Sequence, residues 1–214
     1  MPMTATAALK PTEAPPLAQA DARAHPGAIV LARHGEPALS RRVRLDAAGY
    51  ARWWSSYEEG GLLPGQTPPP ELVKTARGCG VVFSSIRRRS LETARAVIGP
   101  EGFRPDPVFV EAPLPPPPLP RFLKLSPRAW GVIARAVWWF FGHSAGQETR
   151  ARATERARVA AERLITAAES GDDVMLLAHG FFNAMIGREL KALGWRRVST
   201  EGYRYWCAQR FERA

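Results

Sequence analysis

Two apolar runs of strand length end in the same way. Ala28-Ile29-Val30-Leu31-Ala32 stops at Arg33-His34-Gly35-Glu36, and Val174-Met175-Leu176-Leu177-Ala178 stops at His179-Gly180. Neither run alternates apolar with polar residues, so each predicts a strand buried on both faces, as in a parallel sheet covered by helices. Ligands of such sheets bind beyond the carboxyl ends of the strands. That rule puts both histidines at one rim. Gly80-Val81-Val82-Phe83 predicts a further strand ending in Ser84-Ser85. Pro107–Val110 predicts a third that closes on Glu111, and a last strand is expected near 203–211.

Between these runs the apolar spacing changes to that of helices. Asp46 is placed to cap a helix over about 47–59, where Tyr50, Trp53, Trp54 and Tyr57 follow a three-to-four spacing and Gly60-Gly61 ends the element. A short helix is expected over 71–77. Ile86 to Ala94 has helix character with a serine near its start. Its three consecutive arginines, Arg87, Arg88 and Arg89, cannot share a face, because successive helical residues turn by about 100°. One of them enters a site while the others meet solvent. Ser126-Pro127 is a cap and first-turn pair for a helix over 127–141 that carries Trp130, Ile133, Val137, Trp138, Trp139, Phe140 and Phe141. A long helix over about 147–169 buries Ala153, Ala157, Ala160, Leu164 and Ala168, with Glu148–Arg152 and Arg158–Glu162 at exposed-pair spacing. A helix over 181–193 follows the second His-Gly.

Strands alternating with helices predict a three-layer α/β/α sandwich around a mostly parallel central sheet. Residues 1–26, rich in Ala, Pro and Thr without apolar periodicity, are expected to form a flexible leader. Residues 27–214 then form one domain, with a cap segment over about 112–145 that includes the Pro113–Pro120 run. That run is expected to be a stiff loop; the alternative is a ligand for an aromatic groove.

Composition narrows the class. A chain of 214 residues with 45% hydrophobic content supports one substantial core. The net charge of +10 is carried mostly by arginine. With Ala and Pro also abundant, this bias is that of a GC-rich genome, so no nucleic-acid partner is expected. The positive field still favours anionic substrates. Cys79 and Cys207 lack metal-ligand spacing and point to a reducing, cytoplasmic setting. No apolar stretch reaches the roughly 18–20 residues of a membrane span. The aromatic helix over 127–141 is expected to pack on the core and cap the site; the alternative, given Arg128 and Arg135, is peripheral contact with a membrane. His25 and His143 are expected at the surface.

The strand ends bring together Arg33 and His34, then Arg89 or a neighbouring arginine, then His179, and finally Glu111. Two arginines and two histidines converging suit a phosphoryl group. Guanidinium donors match phosphate oxygens, and a neutral imidazole can attack phosphorus and carry it covalently. Helix N-termini after His34 and His179 would add backbone donors, and a nearby carboxylic acid would protonate the departing oxygen. No metal is needed. Ser40 or Arg41 reaching substrate and Glu36 reaching the site are open alternatives.

These residues resemble the histidine phosphatase superfamily, in its phosphoglycerate mutase-like branch. Arg33-His34-Gly35-Glu36 is similar to the Arg-His-Gly signature, Ser84-Ser85 through Thr93-Ala94 to its Ser-Ser-x-x-x-Arg-x-x-x-Thr-Ala segment, Glu111 to the acid after the third strand, and His179-Gly180 to the second histidine. Gln147-Glu148 resembles an altered Gly-Glu-Ser helix start. The resemblance spans roughly 28–211 and implies a phosphoglycerate mutase-like fold. It implies His34 as nucleophile through a phosphohistidine; Arg33, Arg89 and His179 as phosphate ligands; and Glu111 as proton donor and then base. It implies no cofactor and no metal. The expected activity is that of a phosphomonoester hydrolase, in the acid phosphatase class, on a phosphorylated small molecule or else a phosphoprotein. The alternatives are a non-catalytic or regulatory phospho-ligand binder on the same fold, and a phosphomutase or phosphotransferase. Departures at Glu36-Pro37, at Phe181-Phe182-Asn183 and around Glu111 argue against mutase activity on glycerate phosphates.

Overall fold

The structure, a computed structural model, describes residues 25–214. The expected leader therefore lies, except for its last two residues, outside the described residues. The chain runs through β1 (Ile29–Arg33), α1 (Ala47–Glu59), α2 (Pro70–Arg77), β2 (Val81–Ser85), α3 (Arg88–Ile98), β3 (Arg104–Asp106), a 3-10 turn (Pro107–Phe109), α4 (Pro127–Phe141), α5 (Arg150–Ala168), β4 (Val174–Ala178), α6 (Gly180–Ala192), β5 (Trp195–Thr200) and β6 (Ala208–Arg213). The described strands form a single sheet in the order β3-β2-β4-β1-β6-β5. β1, β2, β3 and β4 are mutually parallel, and β6 and β5 add an antiparallel edge.

The unbroken apolar runs do what their pattern requires. In β1, Ile29 and Leu31 face α5 and α6, while Val30 and Ala32 face α2 and α3. Val174 and Leu176 of β4 divide from Met175 and Leu177 in the same way. Helices thus cover both faces, which makes the three-layer sandwich. A third cluster lies above the sheet, where Tyr50 of α1, Trp130 and Ala134 of α4 and Leu114 of the proline run pack together. The Trp130 and Trp138 side chains are wholly buried, whereas Val132, Phe140 and Phe141 remain exposed, so α4 is a core-packed cap helix. Its start is the expected one: the Ser126 hydroxyl accepts from the Ala129 amide, with Pro127 in the first turn. No helix among the described residues is long and apolar enough to cross a membrane.

Four elements depart from expectation. The third strand ends before Pro107, at Asp106, because proline offers no ladder donor and the Asp106 carboxylate accepts from the Val108 amide, starting the 3-10 turn instead. Phe109 is buried from that turn, and Glu111 follows it in irregular chain. β5 was not foreseen, since only its first residue, Trp195, is buried and the rest of this edge strand is exposed. The expected strand over 203–211 is displaced to β6. The long helix begins at Arg150 under a Thr149 cap, and Glu148, just outside it, pairs with Arg156 rather than with Arg152. The Arg158–Glu162 pair forms as expected.

Candidate active site

β1 and β4 pair in parallel with Arg33 opposite Ala178, so His34 and His179 leave the sheet side by side. The His34 amide donates to the Ala178 carbonyl at 2.9 Å, and the two imidazole centroids lie 5.2 Å apart, edge to face. Both rings are buried. His34 Nδ1 is 2.7 Å from the Gly35 carbonyl, which can only accept, so Nδ1 carries the proton. Nε2 is therefore the unprotonated nitrogen of the ring, and it accepts from Arg89 Nε at 3.3 Å. Gly35 is fixed in turn by its amide bond to Thr93 Oγ1 of α3. Burial first, then Arg89 and Arg33, holds the His34 pKa well below its usual value, and burial and Arg89 do the same for His179. Both imidazoles are neutral near pH 7.

α3 begins at Arg88 with Arg87 as its N-cap and no side-chain cap bond; the serine near its start, Ser85, instead accepts the Arg87 amide at 3.3 Å. This register decides among the three arginines. Arg87 and Arg88 pair at the rim with Glu58 and Glu92, while Arg89 is fully buried. Every N–H of Arg89 has a partner. Besides His34, Nη1 donates to the carbonyls of Tyr57 and Glu58, and Nη2 donates to Glu58 Oε1 at 2.7 Å and to His179 Nδ1 at 3.2 Å. The bond from Arg89 makes His179 Nδ1 an acceptor, so its Nε2–H donates to Ser85 Oγ at 2.9 Å. Glu58 escaped the sequence reading. It sits near the end of the amphipathic α1 beside the exposed Glu59, and nothing in its spacing marks it as the partner of a buried cation.

Arg33 Nη1 donates to the Tyr203 carbonyl, and its guanidinium lies 4.3 Å over the Tyr205 ring. The loop between β5 and β6 thus closes over the His34 side of the site, with the Tyr205 ring 5.8 Å from that of His34. Glu111 Oε1 accepts the amides of Ala112 and Phe182 at 3.1 and 2.9 Å. Burial raises its pKa, Glu58 adds to the rise, and Arg135 opposes it. The first turn of α6 therefore serves Glu111 as well as lying beside the histidines. The expected helix after His34 is absent: residues 35–46 form a loop, and α1 starts only at Ala47.

Arg33, His34 and Glu111 open onto one cavity of about 620 Å³. The loop after β1 contributes Arg41, α1 contributes Tyr50, Trp53, Trp54 and Tyr57, and α4 contributes Arg135. Of the loop alternatives, Arg41 reaches the cavity. Ser40 instead uses its carbonyl to hold Trp53 Nε1, and Glu36 is exposed with its backbone tied to Gln66. His25 is exposed; His143 is half-buried, with Nε2 near the Pro116 carbonyl. Among the described residues no cluster of His, Cys, Asp or Glu is arranged to hold a metal ion, and Cys79 and Cys207 are unpaired.

No family model matches the sequence and no curated protein matches it significantly. Solved structures do match. A phosphoserine phosphatase from Entamoeba histolytica, a mutant in complex with phosphoserine, is 13% identical over 78% of this chain and 80% of that one, with a TM-score of 0.50. A mycobacterial glucosyl-3-phosphoglycerate phosphatase is 20% identical over 77% and 79%, with a TM-score of 0.45. The chain has the phosphoglycerate mutase-like fold of the histidine phosphatases.

Proposed function

We propose that the protein is a phosphomonoester hydrolase working through a phosphohistidine on His34. The observation that carries this reading is the orientation of His34: a neutral, buried imidazole whose Nδ1 proton is spent on the Gly35 carbonyl, leaving the Nε2 lone pair beside a guanidinium and a second imidazole. Nε2 attacks phosphorus, a P–N bond forms, and the ester P–O bond breaks. Arg33 and Arg89 hold the non-bridging oxygens as charge builds on them, and His179 joins them when its Nε2–H leaves Ser85 Oγ for the ligand. Glu111, whose burial favours the protonated form, gives its proton to the departing oxygen. The Glu111 carboxylate then takes a proton from water, whose oxygen attacks phosphorus as the P–N bond breaks. Inorganic phosphate leaves, and His34 is restored.

A fold shared with phosphatases is consistent with this activity, and a phosphorylated small molecule is the proposed substrate. The alternative is a non-catalytic phospho-ligand binder on the same fold; in either case the ligand displaces bonds that Arg89 already makes. One experiment separates the two. Purified protein is mixed with 4-nitrophenyl phosphate without added metal, and acid-labile phosphoprotein is trapped by rapid alkaline quench. A hydrolase gives turnover and labelled protein, both lost in His34→Ala. Phosphate binding without turnover across pH 4–9 would overturn the hydrolase.

A further inference from the structure

Arginines around the site divide into two groups. Those at the α3 end are neutralised by carboxylates: Arg87 and Arg89 by Glu58, Arg88 by Glu92, and, further off, Arg156 by Glu148. The cavity arginines Arg33, Arg41 and Arg135 have no carboxylate within ion-pair distance among the described residues. Arg41 donates to the Tyr57 hydroxyl at 2.7 Å and lies over the Tyr57 and Tyr205 rings. Arg135 lies 4.2 Å over the Phe181 ring, and its buried Nε has no hydrogen-bond partner. An uncompensated, partly desolvated guanidinium is costly, and the cost is recovered when an anion binds. Burial shifts the Arg135 equilibrium away from its charged form, which agrees with that strain.

The charges exceed what the transferred group needs. Arg33 adjoins His34 and serves the phosphoryl oxygens, whereas Arg41 and Arg135 stand on the loop after β1 and on α4, lining the same cavity as Glu111, whose charge acts on Arg135. Between them α1 presents Trp53, Trp54 and Tyr57, flat apolar surfaces that suit a ring or an apolar linker. A cavity of about 620 Å³ has room for such a body.

We propose that Arg41 and Arg135 form a second anion subsite, so that the preferred ligand is a phosphomonoester whose leaving group carries a carboxylate or a further phosphate on a ring-sized apolar body. This deepens the hydrolase reading and rests on it for the identity of the phosphoryl end.

The test uses two matched pairs. Turnover of 4-carboxyphenyl phosphate is compared with that of its neutral isostere 4-carbamoylphenyl phosphate. Binding of 4-carboxybenzylphosphonate, which is not hydrolysed, is compared by calorimetry with that of 4-carbamoylbenzylphosphonate. The carboxylate is expected to be favoured about tenfold or more in kcat/KM and in affinity, as for charge-assisted hydrogen bonds. The ratio falls toward one in Arg135→Gln and in Arg41→Gln, and is largely restored in Arg135→Lys. Selective binding with no turnover would sink the hydrolase and leave the subsite standing. Turnover with no preference, or a preference that survives in both glutamine variants, would overturn the subsite and leave the hydrolase standing. Equal binding of the two phosphonates also overturns it.

Discussion

Glu58 Oε1 lies 2.7 Å from Arg89 Nη2, and the same guanidinium reaches both His34 and His179. One carboxylate on α1 therefore sets the arginine that orients both imidazoles. The pair is buried, with side-chain exposures of 1% for Arg89 and 14% for Glu58, so removing the carboxylate leaves an uncompensated interior charge. Glu58→Ala is expected to cost about 3 kcal/mol, a fall in Tm of about 6–12 °C for a domain of this size. Orthophosphate then takes the vacated place. Its stabilising effect in thermal unfolding is expected to be larger in Glu58→Ala than in the native protein. An equal gain in both would show that Glu58 and phosphate do not compete for Arg89.

The two histidines and Glu111 titrate in opposite senses. In the proposed mechanism His34 acts unprotonated, and its pKa lies well below 6.5, so the acid limb of kcat/KM is expected below that value. Glu111 acts there as the protonated acid, and its pKa is raised from 4.5, so it is expected to supply an alkaline limb. Activity is expected to peak in the acid range, with the ester's own ionisation near pH 6 superimposed. Glu111→Gln removes the alkaline limb and lowers kcat by about 10²–10⁴-fold on an alkyl phosphate. A profile of unchanged shape in Glu111→Gln would exclude Glu111 as the acid.

Stability carries the same signs. Below about pH 6.5 the unfolded chain binds protons that buried His34 and His179 refuse, so stability falls as pH drops from 6.5 toward their folded values. Each contributes up to about 1.4 kcal/mol per pH unit. Glu111 works the other way. Its folded form holds a proton that the unfolded form releases above 4.5, so its contribution weakens as pH rises through that window. Urea unfolding between pH 7 and pH 5.5 is expected to show a net loss, with a shallower slope in His179→Asn. A flat curve would mean that the imidazoles are already charged in the folded protein.

Gly35 and Gly180 follow the two histidines, and a side chain at each meets a different obstacle. A Cβ at Gly35 would come within 2.3 Å of the Trp206 ring. Trp206 already holds a left-handed φ of 66°, and its amide donates to the Arg33 carbonyl, so the indole has little freedom to retreat. Gly35→Ala is expected to cost about 1–3 kcal/mol and to lower kcat, because the Gly35 carbonyl fixes the His34 tautomer. A Cβ at Gly180 meets only the side chain of Arg33, at 3.1 Å, which can swing aside. Gly180→Ala is expected to leave Tm nearly intact and to raise KM. Chemical denaturation and steady-state kinetics on both variants check the contrast; equal Tm losses would refute it.

The rim was legible because it is built from short local patterns. An unalternating apolar run stopped by His-Gly fixes both the strand and the place where its chemistry emerges, and two such runs, paired in parallel, bring His34 to His179. Arg89 was legible only through the resemblance, since helical rotation alone left Arg87 and Arg88 open; the unforeseen start of α3 at Arg88 decides it. Long-range partners were not legible. Glu58 meets Arg89 where the end of α1 comes against the start of α3, and the charge of Arg135 on α4 acts on Glu111 across the cavity they share. β5 carries no apolar run, because an exposed edge strand needs none, and Pro107 turned an expected strand into a 3-10 turn.

Arg156 links that turn to the proposed acid. From α5 it donates to the Val108 and Val110 carbonyls at 2.8 Å each, is held in a fork by Glu148 at 2.8 and 2.7 Å, and covers the Phe182 ring at 3.9 Å. Val110 precedes Glu111, and the Phe182 amide binds the Glu111 carboxylate, so Arg156 fixes Glu111 from both sides. It touches neither imidazole. Arg156→Lys keeps a charge and loses the fork, which lets Glu111 drift. A displacement of about 1 Å is enough to cost on the order of 10²-fold in rate. The loss is expected on an alkyl phosphate, whose leaving oxygen needs the proton, and to be far smaller on 4-nitrophenyl phosphate, whose leaving group departs unaided. kcat measured on both esters should follow the same leaving-group dependence as Glu111→Gln. A uniform loss on both would assign Arg156 to general stability instead of to the position of the acid.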